Sequence, residues 1–306
     1  MKSYALKSFL LSIAVVNSLL SFDYKLQPTE VSSDIYCFFG LPEVMDKHNN
    51  GNMSNSCFVT FKTSYLVIDS GPTYQYATQA YKAMQKIKNL PLSYVIDTHI
   101  HDDHWLGNGY YKELGAEIVG PDSFKELSKS DTTRMQKRIS PEAFAGTKQE
   151  FPTTYVKEKL ILKIDDEKVF IQSVNNKAHT SNDLYVYIPS KSVVFAGDIV
   201  FNERLPSLRD GNINGWIKAL ESLKKMDVKY IIGGHGELVT KKSLDYTYEY
   251  LLKMKEQIST LLEEGAEIDD VVNMVVMPEY KNDPFYDSTH RQNVEASYRI
   301  LEWESE

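Results

Sequence analysis

Thr98-His99-Ile100-His101-Asp102-Asp103-His104 gathers three of the chain's seven histidines next to two acids. The segment leaves a run, Tyr94-Val95-Ile96-Asp97-Thr98, whose apolar, β-branched character reads as a buried strand. His99 and His101 are two apart on a chain leaving that strand, so both rings can point the same way and share one metal ion. Asp103 and His104 follow, where Gly107 and Asn108 signal a turn toward a helix, and they project to a second position nearby. Imidazole and carboxylate suit zinc, iron or manganese, and no thiolate narrows the choice.

Three later residues complete this reading, each just after a β signal. His179 lies in Lys177-Ala178-His179-Thr180, between strand-like runs at 169–174 and 184–188. Asp198 closes Phe195-Ala196-Gly197-Asp198, and His235 sits in Ile231-Ile232-Gly233-Gly234-His235-Gly236. The flanking glycines allow close backbone approach or unusual dihedrals. Polar residues at the ends of buried strands place a site on a rigid scaffold. His48 and His290 lack such surroundings, and His48, in Asp46-Lys47-His48-Asn49-Asn50-Gly51, reads as a solvated loop histidine.

Outward from these segments, strands and helices alternate. Helical spacing covers 73–88, with Ala77, Ala80, Tyr81, Met84 and Ile87 on one face. A short helix leads into a strand over 108–119, 121–140 is polar and helical, and 141–158 is irregular. Strands follow at 159–162, 169–171, 184–188 and 193–196, then a helix at 215–226 and a strand at 230–232. Helices are expected at about 241–264, 267–276 and 291–303. This order suggests sheet layers covered by helices. With no repeat or linker in sight, residues 22–306 read as one domain with a C-terminal helical extension from about 241. The apolar spacing of Tyr248, Leu251, Leu252, Ile258, Leu261 and Leu262 suits packing onto the core.

Composition sets the outer bounds. The 306 residues, 42% hydrophobic and 12% aromatic, suffice for a large core and argue against disorder. A formal charge of −8 disfavours nucleic acid as a partner. Residues 1–21 read as a secretory signal: Lys2 and Lys7 precede the apolar run Phe9–Val16, which is shorter than a membrane span, and Ser21 is a cleavage candidate. An uncleaved anchor is the alternative. Cleavage would leave 32 basic and 42 acidic residues, a charge of −10. The expected mature protein is exported, periplasmic or secreted, without stable membrane association. Cys37 and Cys57 each fall in a strand-like run; a disulfide and two buried free thiols are both open.

H-x-H-x-D-H, the His179-Thr180 pair, Gly197-Asp198 and Gly234-His235-Gly236 occur here in the order that marks the metallo-β-lactamase superfamily, and residues of about 31–250 resemble it. The resemblance implies an αββα sandwich with two metals, zinc or else iron or manganese, at one edge of the sheets. By that pattern His99, His101 and His179 hold the first metal, Asp103, His104 and His235 the second, and Asp198 bridges them. Asp69, in Ile68-Asp69-Ser70-Gly71, matches a supporting turn beneath the site. Asp103 is the expected catalytic group, orienting a nucleophile or moving its proton.

Departures from the pattern narrow the branch. Asp198 stands where subclass B1 lactamases carry a cysteine, and Phe201 where they carry a substrate-binding lysine. His101 replaces the glutamate of flavodiiron proteins. Thr98–Asn108, Gly197–Pro206 and the Asp210–Trp216 segment resemble the SoxH-like, quinoprotein-associated zinc hydrolases, which are typically exported. The expectation is an exported dinuclear hydrolase of a small-molecule thioester, ester, lactone or β-lactam. The alternatives are a β-lactamase proper, a periplasmic metal-binding accessory protein, and a single-iron persulfide dioxygenase. Glu203, Arg204 and Arg209 are either substrate-anion contacts or a salt-bridged loop.

Overall fold

The computed structural model describes residues 22–127 and 133–305. The segment read as an export signal lies outside them. Two sheets stack face to face with helices on both outer surfaces, giving the αββα arrangement. The first sheet orders seven strands in sequence: β1 (Thr29–Ser32), β2 (Ile35–Phe38), β3 (Ser56–Thr60), β4 (Tyr65–Ile68), β5 (Leu92–Ile96), β6 (Glu117–Pro121) and β7 (Thr154–Val156). Its early pairs are antiparallel, and it turns parallel from β4 onward. The second orders β12 (Tyr230–His235), β11 (Val193–Phe201), β10 (Leu184–Ile188), β9 (Glu167–Ser173) and β8 (Lys159–Ile164).

Alternation puts one face of each sheet against the other. Ile35, Val59, Leu66 and Ile96 from the first meet Val169, Ile171, Val186 and Phe195 from the second, all buried. The outer face of the first sheet is covered by α1 (Tyr74–Ile87), which buries Tyr76, Ala77, Ala80 and Met84 at helical spacing. Thr73 caps that helix by accepting from the Tyr76 amide. Short helices α2 (Asp102–Trp105), α3 (Asn108–Glu113), α4 (Arg134–Arg138) and α5 (Pro141–Phe144) fill the same side. The second sheet is covered by α6 (Ile213–Lys224) and α7 (Ser243–Glu263), followed by α8 (Ile268–Met274) and α9 (Tyr286–Ser305). Trp216 and Leu220 of α6 and Tyr250, Leu251 and Met254 of α7 are all buried there; each such side chain contributes about 1.5–3 kcal/mol. Among the described residues no helix is long and apolar enough to cross a membrane.

Several element bounds move from their expected places for identifiable reasons. The strand expected to run to Thr98 ends at Ile96, because the Thr98 amide donates to the Asp69 carboxylate at 2.7 Å instead of extending the ladder. The final helix begins at Tyr286, not near 291, and stacking of Tyr286 on His290, centroids 4.6 Å apart, supports its first turn.

The two cysteines are joined. β2 and β3 pair with Cys37 directly opposite Cys57, and a disulfide links them in the inter-sheet core. The bridge closes a loop over a sequence separation of 20, so replacing both by alanine is expected to lower stability by about 3 kcal/mol. Urea denaturation should show a lower midpoint with a steeper slope, because the unbridged unfolded chain exposes more surface; an unmoved midpoint would remove any stabilising role for the bridge.

Candidate metal centre

The strand ends explain where the site forms. β4 and β5 run parallel with Ile68 opposite Ile96, so Asp69 and the Asp97–His99 segment leave the first sheet side by side. In the second sheet, β11 carries Asp198 and β12 ends in His235. The pairing of β11 with β12 slips at Gly197, which adopts φ +51. Such a bulge re-aims the following side chain. A Cβ at Gly197 would overlap the Thr98 side chain, and one at Gly234 would overlap Asp198 Oδ1. Glycine at both positions lets the sheets close around the Asp198 carboxylate.

All seven expected ligands converge. His99, His101, His179 and Asp198 form one group able to hold a metal ion, and Asp103, His104 and His235 a second, ligand atoms within each lying within 4.8 Å of one another. His179 Nε2 is 2.9 Å from His101 Nδ1. Asp198 lies between the groups. Its Oδ2 is 3.5 Å from His99 Nε2, 3.2 Å from His179 Nε2 and 3.3 Å from His235 Nε2. Its Oδ1 is 3.2 Å from His104 Nε2. Asp103 Oδ2 faces the Nε2 atoms of His104 at 3.5 Å and His235 at 3.8 Å.

In four of the five ligand histidines, all but His179, one ring nitrogen is tied down by a neighbouring polar group, which turns the other toward the centre. His235 Nδ1 donates to the Met53 carbonyl at 2.6 Å. His104 Nδ1 donates to Asp69 Oδ2 at 2.8 Å. His99 Nδ1 is 3.0 Å from Thr98 Oγ1, which in turn donates to Asp69 Oδ2 at 2.9 Å. One carboxylate, Asp69, thereby orients a histidine in each group. His101 Nε2 meets Asp210 Oδ2 at 3.0 Å. Asn55 donates to the carbonyls of Gly233 and Gly236 and so holds the end of β12.

Inside this frame, His99 Nε2, His104 Nε2 and Asp198 Oδ1 are buried without a hydrogen bond. Buried polar atoms are rarely left so, and converging lone pairs of imidazole and carboxylate are the donor set of a divalent cation. The electrostatics agree. Burial alone would raise the Asp198 pKa, but His235, His104 and His99 outweigh it and hold the carboxyl well below the usual range. Burial would lower His104, yet Asp198, Asp69 and Asp103 outweigh that and push its pKa up. The cluster therefore favours positive charge at its centre, which a divalent cation would supply. For His99 and His235 burial dominates and lowers the pKa, so both offer neutral rings.

The remaining candidates sort themselves. His48 is exposed and outside both groups. His290 is buried far along the chain, where its Nδ1 meets Tyr250 Oη at 2.9 Å and its Nε2 donates to the Val275 carbonyl at 3.1 Å. Arg209 pairs with Asp210 at 2.7 Å, as the salt-bridged reading expects. Glu203 Oε2 accepts from the Glu237 amide. Arg204 has no carboxylate within 4.0 Å among the described residues, and its Nη1 lies 3.3 Å from His235 Nδ1. Arg134 was missed. It donates to Asp102 and, at 2.9 Å, to Asp103 Oδ1, fixing the carboxylate that the sequence marks as catalytic.

The chain belongs to the metallo-beta-lactamase superfamily, whose family model matches residues 49–235. It is similar to the metallo-beta-lactamase type 2 of Elizabethkingia meningoseptica, 24% identical over 171 residues, which cover 53% of this chain and 60% of that protein. It is also similar to the beta-lactamase-like protein 2 homolog of Caenorhabditis elegans, 22% identical over 217 residues, 69% of this chain and 66% of that one. The chain thus spans less than two thirds to about two thirds of these relatives' lengths. Among solved structures, the metallo-beta-lactamase from Pontibacter korlensis matches with a TM-score of 0.58 at 18% identity, covering 74% of this chain and 99% of that chain. The likeness is one of fold. The superfamily consists in general of metal-dependent hydrolases.

Proposed function

We propose that this chain is an exported dinuclear zinc hydrolase that opens a carbonyl-centred bond of a small thioester, ester, lactone or β-lactam. The observation that carries the reading is the convergence of unpartnered, buried His99 Nε2, His104 Nε2 and Asp198 Oδ1, with the far side of each supporting ring already bonded. His99, His101 and His179 would hold one metal, Asp103, His104 and His235 the other, and Asp198 both. When bound, the metals supply Lewis acidity and a water acidified toward neutrality.

The chain's own residues do the rest. Asp103 Oδ1 is anchored by Arg134, which leaves Oδ2 on the side of the second group, where it orients a nucleophile by accepting its hydrogen bond, and, against burial, His104, Arg134 and His235 hold the carboxyl ionised for that role. Asp69 locks His104 and, through Thr98, His99, so the ligands need no reorganisation as charge develops. Burial of six of the seven ligands excludes bulk water and strengthens these interactions. Retention of the full ligand set separates this reading from an accessory protein. A second metal group separates it from a single-iron dioxygenase.

Metal-loaded protein challenged with a chromogenic cephalosporin, a lactone and a glutathione thioester should turn over at least one of them, and a chelator should abolish that turnover. Turnover of the cephalosporin above the others would favour a lactamase proper, the activity named for the Elizabethkingia relative. Inert protein carrying two metals would contradict the hydrolase reading. One iron per chain with oxygen uptake on persulfide would replace it.

A further inference from the structure

Among the described residues, His235 is the one ligand histidine with another ring lying flat against it. The Phe201 ring is 19° from parallel to it, with centroids 4.8 Å apart, a separation that suits offset stacking. The contacts of the other ligand histidines with neighbouring rings are all tilted or edge-on. The Met53 carbonyl fixes which His235 nitrogen carries the proton. A single hydrogen bond at Nδ1 still leaves the ring free to turn about that bond. Phe201 removes this freedom, so that Nε2 stays aimed at Asp103 and Asp198.

Phe201 is in turn supported from the C-terminal segment. The Arg204 guanidinium lies 5.6 Å from the Phe201 centroid and 3.9 Å from that of Phe285, within reach of cation–π attraction to both. Arg204 is buried, and its Nε has no hydrogen-bond partner. No carboxylate among the described residues lies within salt-bridge distance of it, so the two rings stand in place of a counter-ion. Two bulky residues adopt left-handed backbone in this arrangement, Glu203 at φ +66 and Phe285 at φ +73. Such strain persists only where surrounding contacts over-determine it. Those contacts are present. The Leu205 amide donates to the Pro284 carbonyl at 3.2 Å. The Leu208 amide donates to Asn293 Oδ1 at 2.9 Å, and Asn293 Nδ2 donates to the Pro206 carbonyl at 2.8 Å. Phe285 and Asn293 lie beyond residue 235, where the family match ends, so this support comes from outside the matched region.

We propose that the C-terminal segment sets the metal affinity of the second group by positioning His235 through a chain of packed side chains, Phe285 on Arg204, Arg204 on Phe201 and Phe201 on His235. Phe285 and Phe201 are positioning residues: each acts on the metal through His235. The proposal rests on the two-metal part of the hydrolase reading and adds what tunes one of its two groups. It also makes the C-terminal helical extension part of the centre. Within this chain of contacts only His235 is a ligand, so the first group, held by His99, His101 and His179, is largely independent of Phe285.

The test titrates zinc into the metal-free full chain in competition with a chelator of known affinity, which gives an affinity for each metal equivalent. The equivalent missing in His235→Ala identifies the second group. Phe285→Leu should weaken that equivalent by about 3- to 10-fold and leave the other unchanged. Phe201→Leu, which removes the stacked ring itself, should weaken it by about 10- to 100-fold. Phe285→Tyr keeps the ring and should retain the wild-type affinity. Met84→Ala serves as a destabilised control, because Met84 is buried in α1 on the other sheet; it should lower Tm and leave both affinities unchanged. Two equivalents in the wild type with an unchanged second affinity in Phe285→Leu, or an equal fall in Met84→Ala, would overturn this proposal alone. A wild type that takes up no second equivalent would remove the two-metal reading and this proposal with it.

Discussion

Asp198→Ala is expected to strip the centre of metal and to cut hydrolysis by at least about 10³-fold, a barrier increase of about 4 kcal/mol. Every other ligand belongs to one group, but Asp198 lies within 3.5 Å of histidine nitrogens from both. Its removal leaves imidazoles crowded around a vacated centre with a single carboxylate, Asp103, to offset a divalent charge. The loss is therefore joint: elemental analysis should show fewer than one metal per chain, and turnover should fall in step. The glycines at 197 and 234 leave room for no larger side chain beside this carboxylate, so neighbouring groups cannot move in to replace it. Two metals and full activity in Asp198→Ala would refute its bridging role.

Asp69→Asn should lower metal affinity about 10- to 100-fold while leaving all seven ligands in place. The carboxylate accepts from the Thr98 amide, the Thr98 hydroxyl and His104 Nδ1. Asparagine tolerates the left-handed backbone that Asp69 adopts at φ +56, so the turn survives. What disappears is the negative charge that makes His104 a better ligand and, through Thr98, fixes the tautomer of His99. Competition against a chromogenic chelator measures the effect. An affinity equal to wild type would mean that the rings are held by packing alone.

What the sequence disclosed about the site was its donors. H-x-H-x-D-H concentrates residue types that few other roles require, and the later members each follow a strand, so their order alone groups them. Its supports were partly hidden. Asp69 is readable because it sits in a D-S-G turn, but the Met53 carbonyl that holds His235 is a backbone atom with no residue signature. Arg134 comes from a polar stretch in which many basic residues look alike, and only the tertiary packing of α4 near α2 selects it. The Gly197 bulge is a similar case. The glycine is visible, while the slip of β11 against β12 that aims Asp198 depends on its partner strand.

The fold was legible in the same uneven way. Long periodic segments such as α1 and the buried strands declare themselves through apolar spacing. Their ends depend on competing hydrogen bonds, as at Thr98, where a carboxylate takes the amide that a strand would use. The start of α9 lies among Asp287, Ser288 and Thr289, poor helix formers that tertiary contacts of Tyr286 and His290 override. The cysteine pair shows the limit most clearly. Two strand-like runs each carrying a cysteine are compatible with free thiols or a bridge, and only the register that sets Cys37 opposite Cys57 decides.

The central claim is that one chain holds two metal ions through His99, His101, Asp103, His104, His179, Asp198 and His235. Elemental analysis of protein reconstituted with excess zinc and freed of loosely bound ions tests it directly. Two metals per chain, falling to one or fewer when His104 and His235 are both replaced by alanine, is the expected result. A single metal per chain in the wild type, unchanged by that double replacement, would contradict it.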